Sequence, residues 1–416
     1  MVRDSDNMII DQQLTEGVEG LHVSSVEDEE IEDYEEDDSE EPVVLGFVEK
    51  PKHKWSLLRQ LFPSKAGGVP AWLDPVDLPT GRSCTCDICG SPLQFLLQVY
   101  APLFENEKES TFHRMLYVFV CTSMSCLIQH QLKQKNHYPK KISQSVKVFR
   151  CQLPRTNPYY SFDPPKQDGT DKPSGVGAVL CYWCGSWKGV KECISCKIAQ
   201  YCSDIHRTTH WSSGHEAECC RTISSLTVAG SVGSKPVQMA NQRAAAFKHL
   251  WPEMEIIQEN EDESESDKDS AQNKDDLDSY APNDRLDDDS TKAFMDALEG
   301  DDDKKSWATF QERIGKAPEQ VLRYCRTPGA KPLWPMASGR PSKADIPNCN
   351  HCGGDLTYEF QILPQLLYYF RVQNDADSID WETIAVYTCQ ASCDGGPSYK
   401  DEFAWVQLSS QPTVKP

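Results

Sequence analysis

The chain contains no run of about 20 apolar residues, the length a bilayer-spanning helix needs. Its first residues, MVRDSDNMIIDQQ, hold no basic stretch leading into an apolar core, so no secretory signal is expected. Both absences lead to the expectation of an intracellular protein that does not engage membranes. Apolar residues are scarce at 38%, against roughly 45–50% in globular domains. Ordered domains diluted by disordered segments would explain the shortfall. Cations are scarce too: 42 Lys and Arg stand against 64 Asp and Glu, a net charge of −22. Gripping nucleic acid requires Lys and Arg to neutralise phosphates, so direct nucleic-acid binding is not expected. A basic protein partner suits this charge better, through electrostatic steering. No Ser-His-Asp set or paired-carboxylate pocket emerges from the spacing, so the chain is not expected to be an enzyme.

What the chain has in quantity is cysteine, 18 in 416 residues. In a reducing compartment disulfides are disfavoured, and metal binding becomes the leading account of these thiols.

Residues 86–103, CDICGSPLQFLLQVYAPL, and 349–366, CNHCGGDLTYEFQILPQL, share six of eighteen positions without a gap. Leu93, Phe95, Leu97 and Val99 alternate along a strand face, and Leu356, Tyr358, Phe360 and Ile362 match them. Thr357, Glu359 and Gln361 fall between, the pattern of a half-buried strand with these polar residues facing out. LYVFVC (116–121) then matches IAVYTC (384–389), and VFRCQL (148–153) matches FAWVQL (403–408). Upstream, Trp72 and Trp334 stand at similar distances from Cys86 and Cys349. Kept order across four elements implies a duplicated, β-rich unit. The fold class expected is α+β and β-rich: two duplicated zinc-pinned β units form a pseudo-symmetric domain, with an inserted finger and disordered acidic segments.

Each repeat pairs a CxxCG knuckle with a second cysteine pair after a strand. Cys86 and Cys89 precede Cys121 and Cys126, while Cys349 and Cys352 precede Cys389 and Cys393. Gly90 and Gly353 are free to take the positive φ of a tight turn. Each group of four suits a closed, tetrahedral Zn²⁺ site. Pairing across the two repeats is an open alternative. The middle stretch, CYWCGSWKGVKECISCKIAQYCSDIHRTTHWSSGHEAEC, offers Cys181 and Cys184, Cys193 and Cys196, Cys202 and His206, and His215 and Cys219. The last two pairs have the i, i+4 spacing of one helix face. Eight such ligands make two zinc sites, four in the whole chain. Closed structural sites leave no position for a catalytic water. Cys84, Cys151, Cys220 and Cys325 remain over; Cys151 aligns with Val406, which suits the core, and Cys84 and Cys220 adjoin ligands for which they could substitute.

The expected layout is a disordered acidic tail (1–41), an N-terminal β unit (42–160), a linker (161–180), the finger (181–220), a linker (221–245), a strand packing on the core (246–258), a disordered acidic linker (259–304) and a C-terminal β unit (305–416). The tail contains EDEEIEDYEEDDSEE, with twelve carboxylates and no cation, which repels itself. Trp307, Phe310 and Ile314 fall on one helical face over 305–323, and Pro318 interrupts that helix.

The middle module resembles a MYND zinc finger. That resemblance implies interleaved sites, with Cys181, Cys184, Cys202 and His206 on one ion and Cys193, Cys196, His215 and Cys219 on the other. His206 stands where most such fingers have cysteine, and His210 is expected to pack rather than ligate. The wider pattern of LGF, FPSKAGGVPAWL, CDICGSPLQFLLQVYAPL, LWPEMEI, PEQVLRYCR and SIDWETIAVYTCQASC resembles the programmed cell death protein 2 family. The resemblance implies a dedicated chaperone for a basic ribosomal protein, the S5-family member of the 40S subunit, acting in cytoplasm and nucleus to support small-subunit assembly. A MYND-type adaptor in transcription or signalling, binding proline-containing peptides through the finger, is the alternative.

Overall fold

Short runs of β-branched and aromatic residues, ended by Gly, Pro or Asp, recur along the whole chain. In space most of them close into one sheet. The computed structural model describes residues 43–53, 55–103, 108–135, 143–172, 175–221, 249–261, 301–373, 375 and 377–408. The expected acidic tail, the 221–245 linker apart from Arg221, and most of the 259–304 linker lie outside these residues.

The strands in chain order are β1 (Val44–Glu49), β2 (Lys65–Ala66), β3 (Gln94–Tyr100), β4 (His113–Val120), β5 (Val146–Leu153), β6 (Lys191–Glu192), β7 (Gln200–Tyr201), β8 (Met254–Asn260), β9 (Leu322–Tyr324), β10 (Leu356–Ile362), β11 (Thr383–Cys389) and β12 (Tyr399–Gln407). The helices are α1 (Met124–Lys135), α2 (Asp204–His210), α3 (Asp302–Lys316) and α4 (Gln365–Tyr369). Ten strands form a closed barrel in the order β1-β8-β2-β3-β4-β5-β12-β11-β10-β9, with β9 returning to β1. Every neighbouring pair is antiparallel. Closure removes the sheet edges that would otherwise invite aggregation.

The barrel divides into two arcs of five, β8-β2-β3-β4-β5 and β1-β9-β10-β11-β12. Here the layout departs from the expected units. β1 comes from the N-terminal block but pairs with β9 as well as β8. β8, expected only to pack on the core, is a full barrel strand running through Asn260, two residues into the segment expected to be disordered. Glu261 beyond it is buried and receives Arg313 and Arg323. The strands cross so closely at Gly46 that a Cβ there would lie 3.0 Å from the Leu322 Cβ and 3.1 Å from the Ile256 Cγ2, which explains the glycine of LGF.

The alternation expected along β3 and β10 is broken at the same step in each. A bulge between Phe95 and Leu97 shifts β3 against β4, and one between Tyr358 and Phe360 shifts β10 against β11. The extra residue flips the strand face. Phe95 therefore packs outside with Trp72, while Leu97 and Val99 fill the barrel; Tyr358 packs outside with Trp334, while Phe360 and Ile362 point in. Glu359 and Gln361, expected to face solvent, are fully buried.

Gln361 and its counterpart Gln98 hold the loops that carry the two tryptophans. The Ala71 N–H donates to Gln98 Oε1 at 2.8 Å, and the Leu333 N–H donates to Gln361 Oε1 at 2.6 Å. Each glutamine also donates back to a loop carbonyl, Pro63 or Leu333. A buried carboxamide needs such partners, and these fix where Trp72 and Trp334 sit.

Neither the finger nor the segment before it hangs free. Trp187 is fully buried against Phe119, with ring centroids 4.1 Å apart, and its Nε1 donates to the Leu93 carbonyl at 2.8 Å. Trp72 Nε1 donates to the Ser186 carbonyl at 2.7 Å. The expected 161–180 linker is tied down as well, through the Ala178 N–H to Pro75 O and Arg59 to Val176 O. In the other arc the segment around Trp334 covers the equivalent outer face. α3 starts three residues earlier than the periodicity suggested, capped by Asp301, and ends at Lys316 before Pro318. Its Phe310 and Ile314 pack on Leu363, while Trp307 is exposed.

Candidate metal centres

All four CxxC knuckles close with the same backbone hydrogen bond, from the residue after the second cysteine to the carbonyl of the first. The pairs are Gly90 to Cys86 (2.9 Å), Gly185 to Cys181 (2.8 Å), Lys197 to Cys193 (3.0 Å) and Gly353 to Cys349 (2.8 Å). Each donor residue has positive φ, +75° at both Gly90 and Gly353 and +57° at Lys197. The turn projects two sulfurs to one side, and a second pair must come from elsewhere.

In the two barrel knuckles that pair comes from the end of a strand. Cys121 follows β4 and Cys126 opens α1, while Cys389 ends β11 and Cys393 lies in the turn before β12. The ligand atoms of Cys86, Cys89, Cys121 and Cys126 lie within 4.8 Å of one another, as do those of Cys349, Cys352, Cys389 and Cys393. The pairs thus meet within each repeat rather than across. In the finger, β6 and β7 form a hairpin, and Ser203 caps α2 by accepting from the His206 N–H. Gly214, at φ +131°, breaks the helix after α2 and lets the following turn return His215 and Cys219. Cys181, Cys184, Cys202 and His206 gather in one group, and Cys193, Cys196, His215 and Cys219 in another, the interleaved arrangement.

The spacings suit zinc. A tetrahedron with Zn–S near 2.3 Å and Zn–N near 2.05 Å places sulfurs about 3.8 Å apart and S···N about 3.6 Å apart. The observed separations are 3.7 Å for Cys89–Cys121, 3.8 Å for Cys193–Cys219, 3.8 Å for Cys349–Cys393 and 3.6 Å for Cys352–Cys389. His206 presents Nδ1 at 3.7 Å from Cys181, and His215 presents Nε2 at 3.7 Å from Cys196. None of the 18 cysteines forms a disulfide. Within each group neighbouring donors draw some thiols toward the thiolate, while burial and the adjacent sulfurs push others up, Cys121, Cys184 and Cys389 among them. The Gly354 N–H is the main influence drawing the Cys352 thiol down to about 7. Cys86 is drawn down to about 5, chiefly by Cys121, against its own burial and with help from the Cys89 and Ile88 N–H groups.

The four leftover cysteines stay outside these groups. Burial pushes both Cys84 and Cys151 up to about 12, the state of inert core thiols. His210 stacks on His215, and Tyr201 meets both rings edge-on, with His210 Nδ1 2.9 Å from the Tyr201 hydroxyl. His210 and Glu218 also approach His215, but its Nε2 is turned to Cys196.

Around the C-terminal centre stand residues for which the sequence held no signal, because charged residues in strands usually face water. Arg150 of β5 and Glu402 of β12 form a buried pair at 2.5 Å. Arg150 also reaches Cys393 Sγ at 3.5 Å, and Glu402 accepts from the Cys389 N–H at 2.9 Å.

Comparison with known proteins matches the model "Programmed cell death protein 2, N-terminal domain" over residues 42–167, the C-terminal domain model of the same protein over 304–408, and "MYND finger" over 181–219. The chain is 34% identical to programmed cell death protein 2 of Bos taurus over 385 residues, covering 88% of this chain and 96% of the relative. It is 35% identical over 373 residues to that of Rattus norvegicus, with the same coverage. With the programmed cell death protein 2-like protein of Homo sapiens it shares 26% over 371 residues, covering 85% of this chain and 91% of the relative. No solved structure gives a significant match. With both barrel blocks and the finger matched in order, the chain belongs to the programmed cell death protein 2 family.

Proposed function

We propose that the protein is a non-catalytic, zinc-stabilised chaperone for a basic small-subunit ribosomal protein, the S5-family member, and that it supports 40S assembly in cytoplasm and nucleus. The observation that carries this reading is the extent of the family match, which spans both barrel arcs and not the finger alone. The net charge of −22 supports a basic client, since a ribosomal protein outside its rRNA needs its cations screened. Four protein ligands at each centre support a building role for zinc rather than a catalytic one.

The client surface proposed is the seam where β5 meets β12. An open groove of about 770 Å³ lies there, lined by Lys147 of β5, Phe403 of β12, and Asp87 and Asn350 of the two knuckles. Beyond its last β5 pair, Glu402 with Val148, β12 is covered by α1: Gln134 donates to the Val406 carbonyl and accepts from its N–H, each at 2.9 Å. The groove therefore offers a client polar and apolar side chains rather than a free strand edge. We also attribute the two arcs to duplication. The matching bulges, the glutamines 98 and 361 and the +75° knuckle glycines support that origin.

The test is affinity purification from translating and free pools, with mass spectrometry of what accompanies the protein. A small-subunit ribosomal protein is expected in both; its absence from both overturns the reading. A second reading, a peptide-binding adaptor, is favoured by three apolar side chains exposed on the finger, Val190, Ile194 and Ile205. Retention of all partners by the finger alone would establish it instead.

A further inference from the structure

The C-terminal centre is built from cysteines of one arc but held by side chains of both. Arg326, after β9 of its own arc, donates to the carbonyls of Cys389 and Gln390, and three residues of the other arc hold the far side of the turn. Its turn, from Cys389 to Asp394, connects β11 to β12. Lys108, in the connection between β3 and β4, donates to the carbonyls of Ala391 (3.1 Å) and Ser392 (3.0 Å) and lies 3.2 Å from Asp394 Oδ2. Arg150 of β5 donates to the Cys393 carbonyl at 3.2 Å and to its sulfur at 3.5 Å. Gln152 of β5 donates to Ser392 O at 3.3 Å and Asp394 Oδ1 at 3.2 Å.

The N-terminal centre is not built this way. Among the described residues, its turn from Cys121 to Cys126 is bonded within its own arc, through the Cys121 N–H to Ser145 O and through local serines. The difference matters because the β5–β12 pairing is short, running only from Cys151 with Tyr399 to Val148 with Glu402. Four thiolates around a divalent zinc would carry a net double negative charge. Arg150, though paired with Glu402, donates to one of the sulfurs, and Lys108 holds the turn through its carbonyls and Asp394.

We propose that the C-terminal centre is a clasp between the two arcs, with Lys108, Arg150 and Gln152 as its positioning residues, so that metal loading there and closure of the β5–β12 seam stabilise each other. By linkage, anything that empties the centre loosens the seam, and anything that strains the seam speeds metal loss. The N-terminal centre reaches the other arc only indirectly, through α1, whose Gln134 and Gln131 bond Val406 and Leu408 beyond the β5–β12 pairs. The inference is independent of which client the protein carries.

Hydrogen exchange with mass spectrometry on the full chain tests it. Cys352→Ser and Cys89→Ser each remove the exposed ligand of one barrel centre. The expected result is exchange at least tenfold faster in peptides covering 146–153 and 399–402 for Cys352→Ser, and wild-type protection there for Cys89→Ser. Unchanged seam protection in Cys352→Ser, or equal loosening in both, overturns the proposal. Should a ligand variant fail to fold, Lys108→Met and Gln152→Leu leave all ligands in place. Outer-shell changes cost roughly 10–100-fold in metal affinity, so one equivalent of zinc should pass to a chromophoric chelator about tenfold faster while the rest leaves as in wild type. A wild-type release profile in both variants overturns the proposal as well.

Discussion

Arg114 of β4 and Glu359 of β10 meet inside the barrel as a two-pronged pair, Nη1 to Oε1 at 2.5 Å and Nη2 to Oε2 at 2.7 Å, with both side chains fully buried. Tyr324 and Thr388 donate to the same carboxylate, so its lone pairs are occupied. Removing one partner strands a charge in the core, which costs about 3–5 kcal/mol, whereas replacing both by apolar residues is far milder. Glu359→Gln should therefore lower the unfolding free energy of the zinc-loaded protein by about that amount. The double variant Arg114→Met, Glu359→Leu should recover most of it. Urea unfolding of the three proteins checks the order.

The same pair sets an acid limit. Burial pushes the Glu359 carboxyl up, but Arg114 and its hydrogen bonds outweigh that and hold it at about 2. A carboxylate with a depressed value contributes stability that is complete above its unfolded value and is lost as pH falls through the folded one. This contribution should fade between about pH 4.5 and 2, and Glu359→Gln should lack it.

His130 acts at milder pH. Burial lowers it to about 4, so it is neutral in the folded protein. The unfolded chain takes up the proton first, near pH 6.5. Stability should thus decline from about pH 6.5 towards 4, by roughly 3 kcal/mol in all from this group. His130→Gln should flatten that part of the profile, read as thermal midpoints at constant zinc.

Zinc removal should unfold the protein rather than merely loosen it. Structural sites contribute about 10–16 kcal/mol of apparent binding energy each in finger peptides. Native mass spectrometry is expected to find four zinc ions, and Cys184→Ser or Cys196→Ser three. Far-UV circular dichroism after chelation should show loss of the β signal.

Trp187→Ala should detach the finger from the barrel without emptying it. Deleting a buried tryptophan costs about 3–5 kcal/mol. Proteases should then cut within 161–180 while zinc content stays constant.

If the proposed client is basic, its complex should dissociate more readily as salt rises, since screening shortens the reach of surface charge to about 10 Å at 0.1 M. Salt-independent affinity would remove the electrostatic part of the reading.

Local chemistry was legible in the sequence, and long-range geometry was not. The ligand pairs followed from spacing because a CxxC turn is decided within five residues, and Gly90 and Gly353 marked it. Which pairs share a centre did not: the finger's interleaving rested on resemblance, and the pairing of the barrel cysteines within or across the two blocks was open until the fold brought them together. The bulges at Phe95 and Tyr358 could not be seen, since an extra residue is defined only against the opposite strand. Glu359 and Gln361 were misplaced for that reason. The exchange of β1 and β8 between the arcs was hidden too, because an apolar run of six or seven residues carries no address for its partner. Nothing in the sequence marked Lys108 or Arg150, because the turn they hold is brought to them only by the folded barrel.

The exchange of β1 and β8 also bears on how the chain is made. β1 leaves the ribosome first, yet its two neighbours, β8 and β9, are encoded after the finger. That strand must wait, unpaired, until β8 emerges behind the finger, and it gains its second neighbour only with β9. The finger, with its ligands close together in sequence, can fold in the meantime. A fragment ending after the finger would keep its zinc there but leave β1 and β2 without β8 between them. Closure needs β8, β9 and β12 from beyond the finger, so neither arc is complete as a separate product.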